Sequence, residues 1–232
     1  MDFAASVTAF DAHLHIIDPR FPLVANQGYM PEPFTVEDYR AATAGIDVVG
    51  GAVVAGSFQR GDTAHLLDAL DRLGPGFVAV AELDPATSDE EILALDRAGV
   101  RAVRFNLHRG GSLDLELAHR VHELAGWHTE VYAADIAAHE ERLRELPRLV
   151  VDHLGMNPEG LAAAVRLGAM VKATPRYDGD LRAVPPERLL FGSDLPGTRT
   201  SRRYSPAHVE RVAAVAPRAL ADNARAWYRP RA

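Results

Sequence analysis

Phe10-Asp11-Ala12-His13-Leu14-His15-Ile16 is a short run in which polar and apolar side chains alternate. A repeat of two marks a β-strand, because successive side chains point to opposite faces. On that reading Asp11, His13 and His15 share one face, while Ala12, Leu14 and Ile16 take the other. Two imidazoles and a carboxylate on one face are costly to bury unless they meet one another, a metal or a ligand. The stretch therefore predicts a strand with a polar site at its end.

Seven more apolar runs follow this first one, which extends over 7–17. They cover 48–57, 77–83, 102–107, 127–133, 149–154, 170–177 and 189–195. Helical spacing fills the gaps between them. Asp62 precedes Leu66, Leu67, Leu70 and Leu73, and Gly74 ends that pattern. Ser88 and Glu91 have capping-box spacing, with Gly99 suited to the C-cap. Asn157-Pro158 and Ser205-Pro206 each set a cap residue before a proline at the first helical position. Strand and helix in strict alternation predict an α/β fold with a parallel sheet.

The 232 residues suit one (β/α)8 TIM-type barrel at the short end of its range. Segment 178–188 leaves room for a turn and little helix, so the compact barrel is expected to be shortened between strands seven and eight. No linker-like tract interrupts the chain, and a single domain over 1–232 is expected.

Apolar residues make up 47% and charged residues 25%, an ordinary globular balance. A net charge of −7 argues against nucleic acid or an anionic membrane as partner and favours a small-molecule substrate. No apolar run is long enough to span a bilayer and no leader-like segment opens the chain, so a soluble cytoplasmic protein is expected. The sequence does not fix an oligomeric state. Zero cysteines exclude disulfides, a thiol nucleophile and thiolate metal sites.

Of the 25 basic residues, Lys172 is the only lysine. A coding bias explains the preference for arginine but not the position of this lysine inside an apolar strand. A buried ammonium needs a carboxylate. Asp11 and Glu130 have inward parity and are the expected partners, in an ion pair that supports the site from below.

Parity along the other strands brings more polar groups to the same end. Arg104, Asn106 and His108 oppose Val103, Phe105 and Leu107; Lys172, Thr174 and Arg176 line up together. Asp194 lies two residues past Gly192, and His153 follows Leu149 and Val151 on the same parity. In closed barrels the C-terminal strand ends carry the active site.

Asp11-Ala12-His13-Leu14-His15, Asp152-His153-Leu154-Gly155 and Gly192-Ser193-Asp194, in that order, resemble the amidohydrolase superfamily. Within it the chain resembles the branch of the 2-pyrone-4,6-dicarboxylate lactonase and related lactonases. Phe21-Pro22-Leu23, Val171-Lys172-Ala173-Thr174 and Asp222-Asn223-Ala224-Arg225 add to the likeness, which spans nearly the whole chain.

The resemblance implies a hydrolase of a small lactone or related ester or amide, with His13, His15, His153 and Asp194 as catalytic groups. Asp194 would take a proton from water, and the histidines, better protonated than neutral, would stabilise the oxyanion. Arg104 and Arg176 suit capture of a substrate carboxylate, with internal ion pairs as the alternative. Tyr29 resembles a substrate-contacting position; Asn106, Tyr132, Ser57 and His108 are further candidates. His65, His119, His122, His139 and His208 fall in helical patterns and are expected on the solvated surface.

Binuclear members of the superfamily imply a bridging residue on strand four and a histidine near the end of strand five. Strand four offers Arg104 and Asn106, and His128 lies too early on strand five. No obligatory metal is expected, although His13, His15 and Asp194 would suffice for a single zinc. A metal-dependent decarboxylase of aromatic acids is the alternative enzyme, and a non-catalytic binder on the same barrel the alternative outside catalysis.

Overall fold

The apolar runs become eight parallel strands hydrogen-bonded in chain order in a computed structural model that describes residues 7–229. They are β1 (Thr8–Leu14), β2 (Asp47–Val54), β3 (Phe77–Ala81), β4 (Val100–Asn106), β5 (His128–Tyr132), β6 (Leu149–Val151), β7 (Met170–Ala173) and β8 (Leu189–Phe191). Just past its last strand the sheet returns to its first. The Asp194 N–H donates to the His13 carbonyl at 2.8 Å, and the His15 N–H to Leu195 at 2.9 Å. The chain is thus a (β/α)8 barrel.

One helix follows each of the first six strands: α1 (Val36–Ala42), α2 (Ala64–Leu73), α3 (Asp89–Ala98), α4 (Leu115–Ala125), α5 (Glu140–Leu143) and α6 (Pro158–Arg166). Between β7 and β8 the chain makes only two 3-10 turns, Leu181–Ala183 and Pro186–Arg188. The shortening expected there is present. After β8 come α7 (Pro206–Val215) and α8 (Asp222–Tyr228).

Local chemistry sets the helix starts. The Asn157 side chain accepts the Gly160 N–H at 2.7 Å, with Pro158 in the first turn. Ser88 accepts the Glu91 N–H, but the return bond of a full capping box is absent. α1 has the complete box, between Thr35 and Asp38. Asp62 accepts the Ala64 N–H at 2.9 Å, although Thr63 occupies the N-cap position. Ser205 stands at the start of α7 without a side-chain capping bond.

Two apolar layers are separated by the sheet. Inside the barrel, Phe10, Ala12, Val54, Val80, Ala102, Val150 and Leu190 pack together, and Ala224 and Tyr228 of α8 join them. Outside, Leu14, Val53, Val103, Val131, Val151 and Phe191 pack against the helices. Phe10 and Ala12 thus face in while Leu14 faces out, so simple alternation fails along β1. The pairing of β1 with β2 shifts register between Asp11 and Leu14. This irregularity corrects the shared face read for Asp11 and His13. Asp11 instead meets Tyr39 of α1 and Ser193.

Two helical histidines are also corrected. His65 is 2% exposed and His208 7% exposed, both within the buried stripes of their helices. α2 buries His65, Leu66, Ala69 and Leu70 as one face, and α7 buries His208, Val209 and Val212. Burial pushes each imidazole down to about 4. His119 is exposed, and His122 and His139 are partly so.

Candidate active site

The C-terminal strand ends bring the four key groups together by different local routes. His13 belongs to β1 and His15 lies one residue beyond it. The His15 Nδ1 is 2.7 Å from the Val54 carbonyl, which can only accept, so Nδ1 carries the proton and Nε2 presents a lone pair. Asp194, with a left-handed backbone (φ 55°), places Oδ1 3.7 Å from His13 Nε2 and 3.9 Å from His15 Nε2. Its Oδ2 accepts from Arg176 at 2.9–3.0 Å. Gly192 is required here, since a Cβ on it would stand 2.8 Å from the His13 Cβ.

His153 reaches the site by a route other than strand parity. Leu149 and Val151 face the helices, and continued alternation would carry His153 outward with them. His153 and Leu154 instead adopt left-handed backbone (φ 53° at each), which takes the chain out of the strand and turns the imidazole in. Its ring centroid lies 4.7 Å from that of His13, and its Nδ1 is 2.8 Å from the Thr174 hydroxyl.

Above these groups is a small cavity, of about 30 Å³, that opens to solvent. His15, Ser57, Arg104, Asn106, Arg109, Tyr132, His153, Arg176 and Arg199 are among its lining residues. Ser57, Arg104, Asn106 and Arg109 also line a wider neighbouring cleft. Arg104 binds Asp152 at 2.9 Å and the Ala55 carbonyl at 3.0 Å, and Arg176 binds Asp194 and the Thr198 carbonyl. Both form internal ion pairs, the alternative weighed for them. The Tyr132 ring lies near both guanidiniums, and its buried hydroxyl has no partner.

Arg109 and Arg199 were not among the sequence candidates. Neither has a carboxylate partner among the described residues. Arg109 ends a 3-10 turn after β4 and Arg199 lies on a loop after β8, and strand parity gives no signal at either. Tyr29 is half-buried outside the cavity lining, its ring 4.5 Å from the Arg199 guanidinium carbon. The half-buried His108 ring packs 4.8 Å from Tyr132.

Beneath the cavity lies a buried network. Lys172 donates to Glu130 and lies 3.3 Å from Asp152 Oδ1 and 3.2 Å from His13 Nδ1. Tyr228 donates to Glu130 at 2.5 Å, and His128 Nε2 lies 3.2 Å from the same carboxylate. The Lys172 partner is therefore Glu130 together with Asp152, and not Asp11. Asp152, part of the Asp152-His153-Leu154-Gly155 motif, lies inward below Arg104 and is the second partner.

Electrostatics separates the carboxylates. Burial alone would raise Asp152, but Lys172, His13 and Arg104 outweigh it and hold the group well below the usual range. Glu130 is likewise brought to about 2 against its burial, chiefly by Lys172. Asp194 is raised, because burial exceeds the opposing pull of Arg176 and His13. Burial lowers His15 and His153 well below the ordinary imidazole value, with nearby cations adding to the effect. The protonated histidines expected from the sequence are thus disfavoured at these two positions.

By spacing alone, three donors could meet a single divalent ion. Among the described residues His13 Nε2 and Asp194 Oδ1 are buried without hydrogen-bond partners, and with His15 they offer ligand atoms within 4.8 Å of one another. His13, Asp152 and His153 make a second such group, but there the Lys172 ammonium already lies beside Asp152 and His13.

A parallel barrel with paired histidines on strand one, a histidine after strand six and an aspartate after strand eight defines an amidohydrolase-type hydrolase. The chain belongs to the Amidohydrolase family, whose model matches residues 10–229. A 4-sulfomuconolactone hydrolase of Rhizobium radiobacter is 26% identical over 238 residues, covering 84% of this chain and 78% of the relative. A 2-pyrone-4,6-dicarboxylate hydrolase of Comamonas testosteroni is 30% identical over 165 residues, 66% of this chain and 53% of its own. A crystal structure from Pseudomonas putida, provisionally named a 2-pyrone-4,6-dicarboxylic acid hydrolase, superposes with a TM-score of 0.77 at 26% identity. It covers 96% of this chain and 97% of its own.

Proposed function

We propose that the protein opens a small anionic lactone by hydrolysis, with Asp194 as general base and no obligatory metal. The observation that carries this reading is the division of labour within Asp194. One oxygen is fixed by Arg176, and the other is buried, unpartnered and close to the imidazoles of His13 and His15. A water between Asp194 Oδ1 and the His15 Nε2 lone pair finds two acceptors for its two protons. Asp194 takes one proton as the water oxygen bonds to the lactone carbonyl carbon. When the ring C–O bond breaks, Asp194 returns that proton to the departing oxygen. The raised position of Asp194 suits both steps.

Tyr132 and His153, at the cavity wall, are placed to donate to the developing oxyanion. Arg109 and Arg199 hold the substrate's anionic groups, while Arg104 and Arg176 add positive potential from within their ion pairs. Both curated relatives are named as hydrolases of lactones with acidic substituents, which supports this substrate class. A divalent ion such as zinc at His13, His15 and Asp194 would supply Lewis-acid polarisation at the same place.

The net charge of −7 supports a small-molecule partner over nucleic acid. Among the described residues no helix is long and apolar enough to cross a membrane.

The test is a panel of carboxylated lactones and pyrones, with aromatic acids beside them, assayed on the protein before and after chelator treatment. Ring opening that persists after chelation is expected. Release of CO2 from the aromatic acids without ring opening of any lactone would overturn the reading.

A further inference from the structure

We infer that Lys172 fixes the tautomer of His13, holding its proton on Nε2 toward the pocket and setting the site against a divalent cation.

An ammonium has three N–H donors and no lone pair. Lys172 is fully buried, and its Nζ has three neighbours: Glu130 Oε2, Asp152 Oδ1 and His13 Nδ1. The contact with His13, at 3.2 Å, is a hydrogen bond only if Nδ1 offers its lone pair. A neutral His13 then carries its proton on Nε2. That nitrogen has no partner of its own and lies 3.7 Å from Asp194 Oδ1, where it can donate to an oxygen entering from the cavity.

Holding a metal through Nε2 needs the reverse arrangement. The proton moves to Nδ1, and a carboxylate usually accepts it from there. Asp152 stands ready for that role. Its Oδ1 lies 3.3 Å from His13 Nδ1 and equally 3.3 Å from the Lys172 ammonium. Lys172 and Asp152 are therefore rivals for one nitrogen, and each answer to the rivalry gives His13 a different use. With Lys172 donating, His13 is a hydrogen-bond donor. With Asp152 accepting, it is a metal ligand.

The barrel floor holds the balance on the lysine side. Glu130, which anchors Nζ, itself accepts from Tyr228 and lies beside His128. The ammonium cannot withdraw without leaving Glu130 buried beside a vacated charge. Its positive charge, set next to His13, also repels a cation at Nε2. An arginine at this position would bring a planar fork in place of a compact point charge. This gives a physical reason for one lysine among 25 basic residues.

The inference rests on the proposed site only in placing His13 at the pocket, and its test needs no substrate. Nitrogen-15 spectra of histidine-labelled protein, with His13→Gln for assignment, should show His13 protonated at Nε2. Chelator-competition titration should find zinc bound at least tenfold more tightly by Lys172→Met than by the parent. In that variant His13 should carry its proton on Nδ1. A parent protein with the His13 proton on Nδ1 would overturn the inference, and so would equal zinc affinity in parent and variant. Should Lys172→Met fail to fold, the spectrum of the parent decides alone.

Discussion

Ser193 is bound twice to Asp11: its hydroxyl donates to one carboxylate oxygen at 2.6 Å and its N–H to the other at 2.8 Å. This pair joins the end of strand eight to strand one, one residue before Asp194 and two before His13. Tyr39 and the His13 N–H donate to the same carboxylate. Replacing Asp11 by alanine leaves these buried donors unpaired, so Asp11→Ala should lose roughly 3–5 kcal/mol of stability. Denaturant unfolding measures it. A loss below about 1 kcal/mol would mean the seam does not depend on this carboxylate.

Asp194→Asn keeps the shape of the group but removes its ability to take a proton. Turnover should fall on the order of 10²–10⁴-fold while the fold persists. In the parent, burial has raised Asp194, so the acid limb of kcat/KM should lie above the ordinary carboxylate range. Activity fails as pH falls through that limb, because the protonated group cannot act as base. Near-parental turnover in Asp194→Asn would place the base elsewhere.

Among the described residues Arg109 and Arg199 line the cavity without carboxylate partners, whereas Arg104 and Arg176 are already paired. Truncating Arg109 or Arg199 to alanine should weaken binding of an anionic lactone by roughly 1.5–3 kcal/mol. A neutral ester analogue should be affected much less. Equal losses on the charged and neutral substrates would show that these side chains shape the cavity without reading charge.

Acid sensitivity should come in part from two histidines outside the site. His65 and His208 are held near 4 by burial, against 6.5 when free. Between those values the unfolded chain binds more protons than the folded one, so stability falls as pH drops from about 6.5 to about 4. His65 alone accounts for up to about 3 kcal/mol across that interval. His65→Phe should flatten the pH dependence of the unfolding free energy over this range. An unchanged slope would mean that water reaches the ring.

Much of this architecture is legible in the alternation of short apolar runs with capped helices, including the helix missing between β7 and β8. His13, His15 and Asp194 could be placed because each lies on or just beyond a strand whose direction carries them forward. His153 could not be derived that way. Its placement depends on two left-handed residues, neither of them glycine, that no period reports. Asp11 failed for the related reason that a register shift breaks the alternation of β1. His65 and His208 occupy positions in an apolar helical face, and only their polar identity suggested the surface. Arg109 lies in a 3-10 turn and Arg199 on a loop, past the strands whose alternation could have placed them; Arg199 is held by tertiary contacts such as its stacking on Tyr29.

The bond from Tyr228 to Glu130 also bears on the order in which the protein can be made. Glu130 leaves the ribosome nearly a hundred residues ahead of Tyr228. Until α8 arrives, a nascent barrel holds Glu130 and Lys172 without this donor, and without the ring that stacks on Phe10 at 5.6 Å. Early strands can pair as they emerge, but the polar floor is finished by the last described helix. Glu130 is therefore fully partnered only once α8 has docked.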